Sequence, residues 1–172
     1  MEGSRFILFW ILVCISIFCA SAETQVFCDL TPLKDVDWSE DFTLPKFDPA
    51  LGSLKAVDIL IDVNLSQEVK VENIGKGNST VNSMTESVLS LVLPSGEEIK
   101  TSASLEIFKN LTAFDGINDF SGSSGMDLTE TGSSGTKTHS YSETSDFVAD
   151  TDGETIVLKG SLESMPRVII SG

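Results

Sequence analysis

Two oxygen-rich stretches carry the clearest candidate chemistry of this sequence. Asp146, Asp150, Asp152 and Glu154 fall within "DFVADTDGE", and Asp115, Asn118 and Asp119 fall within "LTAFDGINDFSGSSG". Hard cations such as Ca2+ take roughly six to eight oxygen ligands, so loops of this composition are where calcium would be held. Neither follows the EF-hand order, because Gly153 comes directly after Asp152 and Gly116 directly after Asp115. Asp and Asn also populate turns for backbone reasons alone. The stretch around Phe114 and Phe120 is expected to be a structural corner first, its two rings anchored in the core, and a cation site second.

Serine-type hydrolysis needs a base beside the nucleophile and an acid that orients the base. His139 is the only histidine, and it stands in a polar Ser-Thr run that reads as surface. No G-x-S-x-G, H-E-x-x-H, glycine-rich phosphate loop or C-x-x-C pair occurs. No catalytic residue is therefore expected, and no cofactor apart from Ca2+. Sugar binding relies on flat exposed rings, and Trp38 and Tyr141 are the aromatics available for it besides phenylalanines. A carbohydrate-binding reading requires those two on one exposed face. Sequons at Asn64, Asn78 and Asn110 fit glycosylation at exposed positions of an exported chain.

The start of the chain indicates where such groups would work. Residues 1–22 read as a cleavable signal peptide, with Arg5, an apolar run from Phe6 to Phe18, and the small residues Ala20, Ser21 and Ala22. The apolar run is shorter than the roughly 20 residues a membrane-spanning helix needs, so cleavage is expected after Ala22 and no membrane span after it. Cleavage removes Cys14 and Cys19 and leaves Cys28, which reads as a small buried residue or a site of intermolecular pairing. Stability must then come from core burial, for which about 150 residues suffice. The net charge of −15 at pH 7 is unchanged by cleavage, since Glu2 and Arg5 leave together. Such acidity disfavours nucleic acid as a partner.

The elements that must carry these loops show a period of two. In "VDILIDVNL", Val57, Ile59, Ile61, Val63 and Leu65 alternate with Asp58, Leu60, Asp62 and Asn64, the pattern of a strand with one buried face. "EVKVENI" repeats it, with Val69 and Val71 opposed to Lys70 and Glu72. Pro94-Ser95-Gly96 interrupts a further alternating region and predicts a hairpin that brings Leu91 and Leu93 near Ile99 and Leu105. Two "GSSG" copies predict either two turns around a short strand or one surface loop. "ETIVLKGSLES" and "MPRVIISG" read as the last two strands. Nothing after the leader has helical periodicity with caps. The expected fold is all-β, an antiparallel two-sheet β-sandwich of jelly-roll or Ig-like type, because an antiparallel sheet buries one face only when another layer covers it.

Three stretches, "LPKFDPALGSL" from Leu44 to Leu54, "VKVEN" from Val69 to Asn73 and "LTAFDGINDFSGSSG" from Leu111 to Gly125, together resemble the choice-of-anchor E domain family of exported bacterial and archaeal proteins. The resemblance spans roughly Phe42 to Leu162. It implies a secreted β-domain without established enzymatic activity, usually followed by a sorting tail. No such tail follows the domain here, so release, or anchoring through another protein, is expected. The resulting organisation is a signal peptide at 1–22, an N-terminal extension or first strand at 23–41, and a β-sandwich domain at 42–172. The expected role is structural or interactive in the extracellular space or at the cell surface, with proteins or glycans as partners. A calcium-dependent or carbohydrate-binding adhesion module is the second reading. The third is a self-associating subunit of an extracellular polymer: Val26, Cys28 and Leu30 alternate in a segment that could add to a neighbour's open sheet edge.

Overall fold

The computed structural model describes residues 7–19, 24–32, 34–35 and 37–172, with side chains from Thr24 onward. The expected cleavage point at Ala22 lies outside the described residues. Nine strands appear among them: β1 (Ile7–Cys19), β2 (Thr24–Thr31), β3 (Trp38–Pro45), β4 (Leu54–Glu72), β5 (Ser79–Val92), β6 (Glu98–Leu111), β7 (Gly125–Ser133), β8 (Lys137–Tyr141) and β9 (Thr155–Ser171). The only helical turns among the described residues are two short 3-10 turns, Pro49–Leu51 and Ser145–Phe147.

The strands form two antiparallel sheets, so the chain is all-β and sandwich-like. One sheet runs β2-β1-β4-β7, with β8 pairing on β4 beside β7, and the other runs β3-β9-β5-β6. The alternation read in "VDILIDVNL" is realised in β4, where Val57, Ile59, Ile61, Val63 and Leu65 are all buried. They form one core cluster with Phe42 and Leu44 of β3, Leu89 and Leu91 of β5, and Leu158 and Leu162 of β9. Each such side chain contributes on the order of 1.5–3 kcal/mol when taken out of water, so this shared layer is the main force holding the sheets together.

Several elements run further than the local pattern suggests. β4 is a single strand of 19 residues. Its buried face passes from Leu65 through Gln67, whose Nε2 donates to Ser83 Oγ at 2.7 Å inside the core, to Val69. At its end the alternation slips. Glu72, expected on the wet face, is buried, and Val71 is half-buried.

β9 likewise joins the two expected last strands into one of 17 residues that passes through Pro166. β3 covers β9 only from Thr155 to Leu162, so beyond that point one edge of β9 has no ladder partner among the described strands. Proline is tolerated where no donor is required. The hairpin forms around Pro94-Ser95-Gly96 as expected. Gly96 N–H donates to Leu93 O at 2.9 Å, and Gly96 takes φ 87°, which suits glycine. Leu91 pairs with Ile99, whereas Leu105 stands farther along the same sheet, opposite Thr85.

β1 (Ile7–Cys19), which overlaps the apolar run expected from Phe6 to Phe18, is a strand here, held between β2 and β4. It pairs with β4 along 13 residues, from Ile7 opposite Gln67 to Cys19 opposite Leu54. β3 begins at Trp38, so it straddles the domain boundary expected at residue 42.

Candidate functional site

The loop from Thr112 to Ser124 lies at the end of β4, and its polar groups are used to hold its own shape. Asp115 Oδ1 accepts from Ile117 N at 2.9 Å, and Asp119 Oδ1 accepts from Ser121 N at 3.0 Å and Ser121 Oγ at 2.7 Å. The Ser121 contacts hold the Asp119 carboxyl below its ordinary range. Asn73 closes the base of the loop, donating to Gly77 O and Thr112 O, while Phe114 N donates to Gly75 O.

The anchor is not the aromatic pair. Phe114 is 37% exposed and Phe120 only half-buried, which corrects the expectation that both rings anchor the corner in the core. The anchor is instead Glu72 Oε2, which accepts from Phe120 N at 2.8 Å and supports that residue at φ 58°. The sequence signal for this was faint: Glu72 sits in an alternating strand like any wet-face residue. Gly125 then allows the chain to re-enter the sheet, since a Cβ there would stand 2.2 Å from Ser121 N.

The second acidic stretch is organised by Glu154. Its Oε1 accepts from Lys46 Nζ at 3.2 Å and its Oε2 from Asp150 N at 2.7 Å. The Asp150 amide, then Lys46, lower the Glu154 pKa. Asp150 and Asp152 are exposed and Asp146 half-buried. Lys46, Asp146, Asp150 and Lys159 line an open groove of about 550 Å³ whose charges are mixed. Among the described residues no three His, Cys, Asp or Glu side chains converge as metal ligands. Asp115 and Asp119 spend oxygens on backbone amides and Glu154 spends both on Lys46 and Asp150, so a cation would compete with bonds already made.

The first "GSSG" is a turn that leads into β7, whereas the second overlaps the end of β7 and is an in-line break before β8, so neither of the two readings holds as made. Ser134 exchanges bonds with β4, accepting from Val63 N at 3.0 Å and donating from its own N–H to Val63 O at 2.8 Å. Ser133 Oγ donates to Asp62. This junction lets β7 and β8 follow one edge of β4 in succession. His139 is half-buried on β8 opposite Ile59.

Trp38 and Tyr141 do not share an exposed face. Trp38 stacks edge-on to Phe42 with ring centres 6.4 Å apart, and Lys34 Nζ lies 5.5 Å from its ring. Tyr141 packs beside Phe147, with ring centres 6.2 Å apart, and burial, then Glu97, push its phenol up to about 12. Both are partly buried against the core.

Asn64, Asn78 and Asn110 are exposed. Asn78 and Asn110 line a shallow cleft of about 490 Å³ with Thr80, Thr112 and Ser171. Cys28, read as buried or pairing, is exposed on β2 and stands opposite Cys14 in the ladder.

The outer face of β5, β6 and β9 carries a group of exposed apolar side chains among polar ones. Phe108, Asn82 and Ile169 form one cross-strand row, Glu106, Met84 and Arg167 the next, and Ser104, Glu86 and Met165 the third. Phe108 is 61% exposed, Met165 64% and Ile169 53%. Isolated exposed apolar residues are ordinary, but a cluster across three adjacent strands is not. No family model, curated protein or solved structure matches the chain.

Proposed function

We propose that the chain is an exported, extracellular or cell-surface β-sandwich protein without catalytic activity, whose role is to bind other components through its sheet face. The observation that supports this most directly is the exposed cluster of Phe108, Met84, Ile169 and Met165, interleaved with Asn82, Glu106, Glu86 and Arg167. Apolar anchors within a polar surround are what a protein partner's own side chains can cover. The acidic loops suit this role less, because Asp115, Asp119 and Glu154 already accept from amides, from Ser121 or from Lys46. Membership of the choice-of-anchor E family is part of the proposal, resting on the three stretches that resemble it, as is the jelly-roll or Ig-like form of the sandwich.

The test is secretion of residues 1–172 from a host with an export pathway, followed by mass analysis and measurement of adsorption to the producing cells. A product beginning at Glu23 and held at the surface is expected. Phe108→Ser combined with Ile169→Ser should release it with an unchanged circular dichroism spectrum. Retention unaffected by the double substitution would move the binding face elsewhere.

A further inference from the structure

β1 is the longest partner of β4, yet it is also the run that the export reading removes. It stands antiparallel to β4 on one side and to β2 on the other, with Ile11, Val13, Ile15 and Ile17 opposite Val63, Ile61, Ile59 and Val57. Its loss would open a slot one strand wide along Leu54 to Gln67. Val63 turns its N–H and C=O toward Ser134, so the neighbouring Asp62 and Asn64 present theirs to the slot. An edge of this length with unpaired backbone groups is a template for another strand.

We infer, on the basis of the export reading, that in the processed chain β2 of a second copy, 8 residues long, occupies part of this slot. Three observations select that occupant. Cleavage after Ala22 would leave Thr24 one residue from a new N-terminus, so the segment can insert without threading a loop. Among the described strands β1 is the only ladder partner of β2, and β2 is tied to the rest of the chain by Thr31 Oγ1, which donates to Glu40, by Asp29 Oδ2, which accepts from Thr43 N, and by Phe27, which packs on the core. Val26 is 58% and Leu30 53% exposed on one face of the strand, so insertion with that face inward takes both of these apolar side chains out of water.

The chain's own β2 cannot serve equally well. It runs parallel to β4, and sliding across would give the weaker parallel ladder, whereas a second copy enters antiparallel in the direction of β1.

The experiment uses the secreted chain. Mass analysis reads whether the leader has gone, and light scattering behind size exclusion at physiological salt reads the assembly state. A cleaved product with at least twice the monomer mass is expected. Val26→Asp with Leu30→Asp should return it to monomer, and an excess of a synthetic peptide of residues 24–31 should do the same. Hydrogen exchange at Leu60, Asp62 and Asn64 should be slow in the assembly and at least tenfold faster in the double variant. An uncleaved product overturns the export reading on which the inference stands. A cleaved product that stays monomeric, folded or not by circular dichroism, overturns the inference alone, as does an assembly that neither the double variant nor the peptide disturbs.

Discussion

At the scale of single residues, the chain uses acidic and polar side chains as braces. Glu72 meets the Phe120 amide, Glu154 meets Asp150 and Lys46, and Glu40 receives Thr31 and Lys34. Of these three, composition marked only Glu154 as a cation ligand, because it reports oxygen content and not where amides point. Tyr141 offers a clean probe of the packing, since it is the only tyrosine. Burial first, and the Glu97 carboxylate second, raise its phenol to about 12 from an ordinary 10.0. Ionisation of a buried phenol loses hydration and meets a like charge, so the folded state favours the neutral form. The raised value means that Tyr141 stabilises the fold fully below pH 10 and loses that contribution as pH rises from 10 toward 12. Absorbance titration near 295 nm should show a single transition at about 12 in the native protein and near 10 in denaturant. Glu97→Gln should shift the native transition downward without bringing it to the denatured value, because burial is the larger cause. A native midpoint near 10 would mean that the ring is not held against Phe147.

At the scale of elements, what could be read in advance was the period, and what could not was the neighbour. Val57 to Leu65 announced a half-buried strand because side-chain alternation is local. That β4 continues to Glu72, and that β9 passes straight through Pro166, depend on which edges other strands cover. The leading apolar run shows the same dependence. Its β-branched residues suit a strand as well as a leader, and the open flank of β4 decides what such a run does when it remains on the chain. Edge coverage also governs tolerance to proline within β9. Ser161 has β3 on one side, through Ser39, and β5 on the other, through Ser90. Whichever way its amide points, a ladder partner is there, so Ser161→Pro must break a bond that the native Pro166 need not. A loss of about 1–3 kcal/mol is expected, read as a lower urea midpoint with an unchanged slope. Stability unaffected by that change would place Ser161 at an open edge, contrary to the pairing described.

At the scale of the whole molecule, two electrostatic effects oppose each other. A net charge of −15 sets the surface against itself, and this repulsion weakens as carboxylates take up protons. The braces act the other way. Glu154, Glu40, Glu98 and Asp119 all have lowered pKa values, chiefly from hydrogen bonds by the Asp150 amide, Lys34, Lys100 and Ser121 respectively. A lowered folded value means stability that is present above the unfolded pKa, 4.5 for Glu and 3.8 for Asp, and lost as pH falls through the folded one. These braces lie at the surface, so each is worth little alone, and their sum must be weighed against the relief of repulsion. Salt separates the two. At about 0.5 M the screening length falls to roughly 4 Å, which removes most long-range repulsion but leaves contacts at hydrogen-bond distance partly intact. The melting temperature should therefore rise with salt at pH 7, where repulsion is greatest. Between pH 5 and pH 3 it should fall more steeply at 0.5 M than at 0.02 M, because relief of repulsion compensates for the lost braces only when repulsion is unscreened. Calorimetric scans at the two ionic strengths would reveal this, and parallel pH curves would mean that the carboxylate contacts add nothing to the fold beyond their share of the net charge.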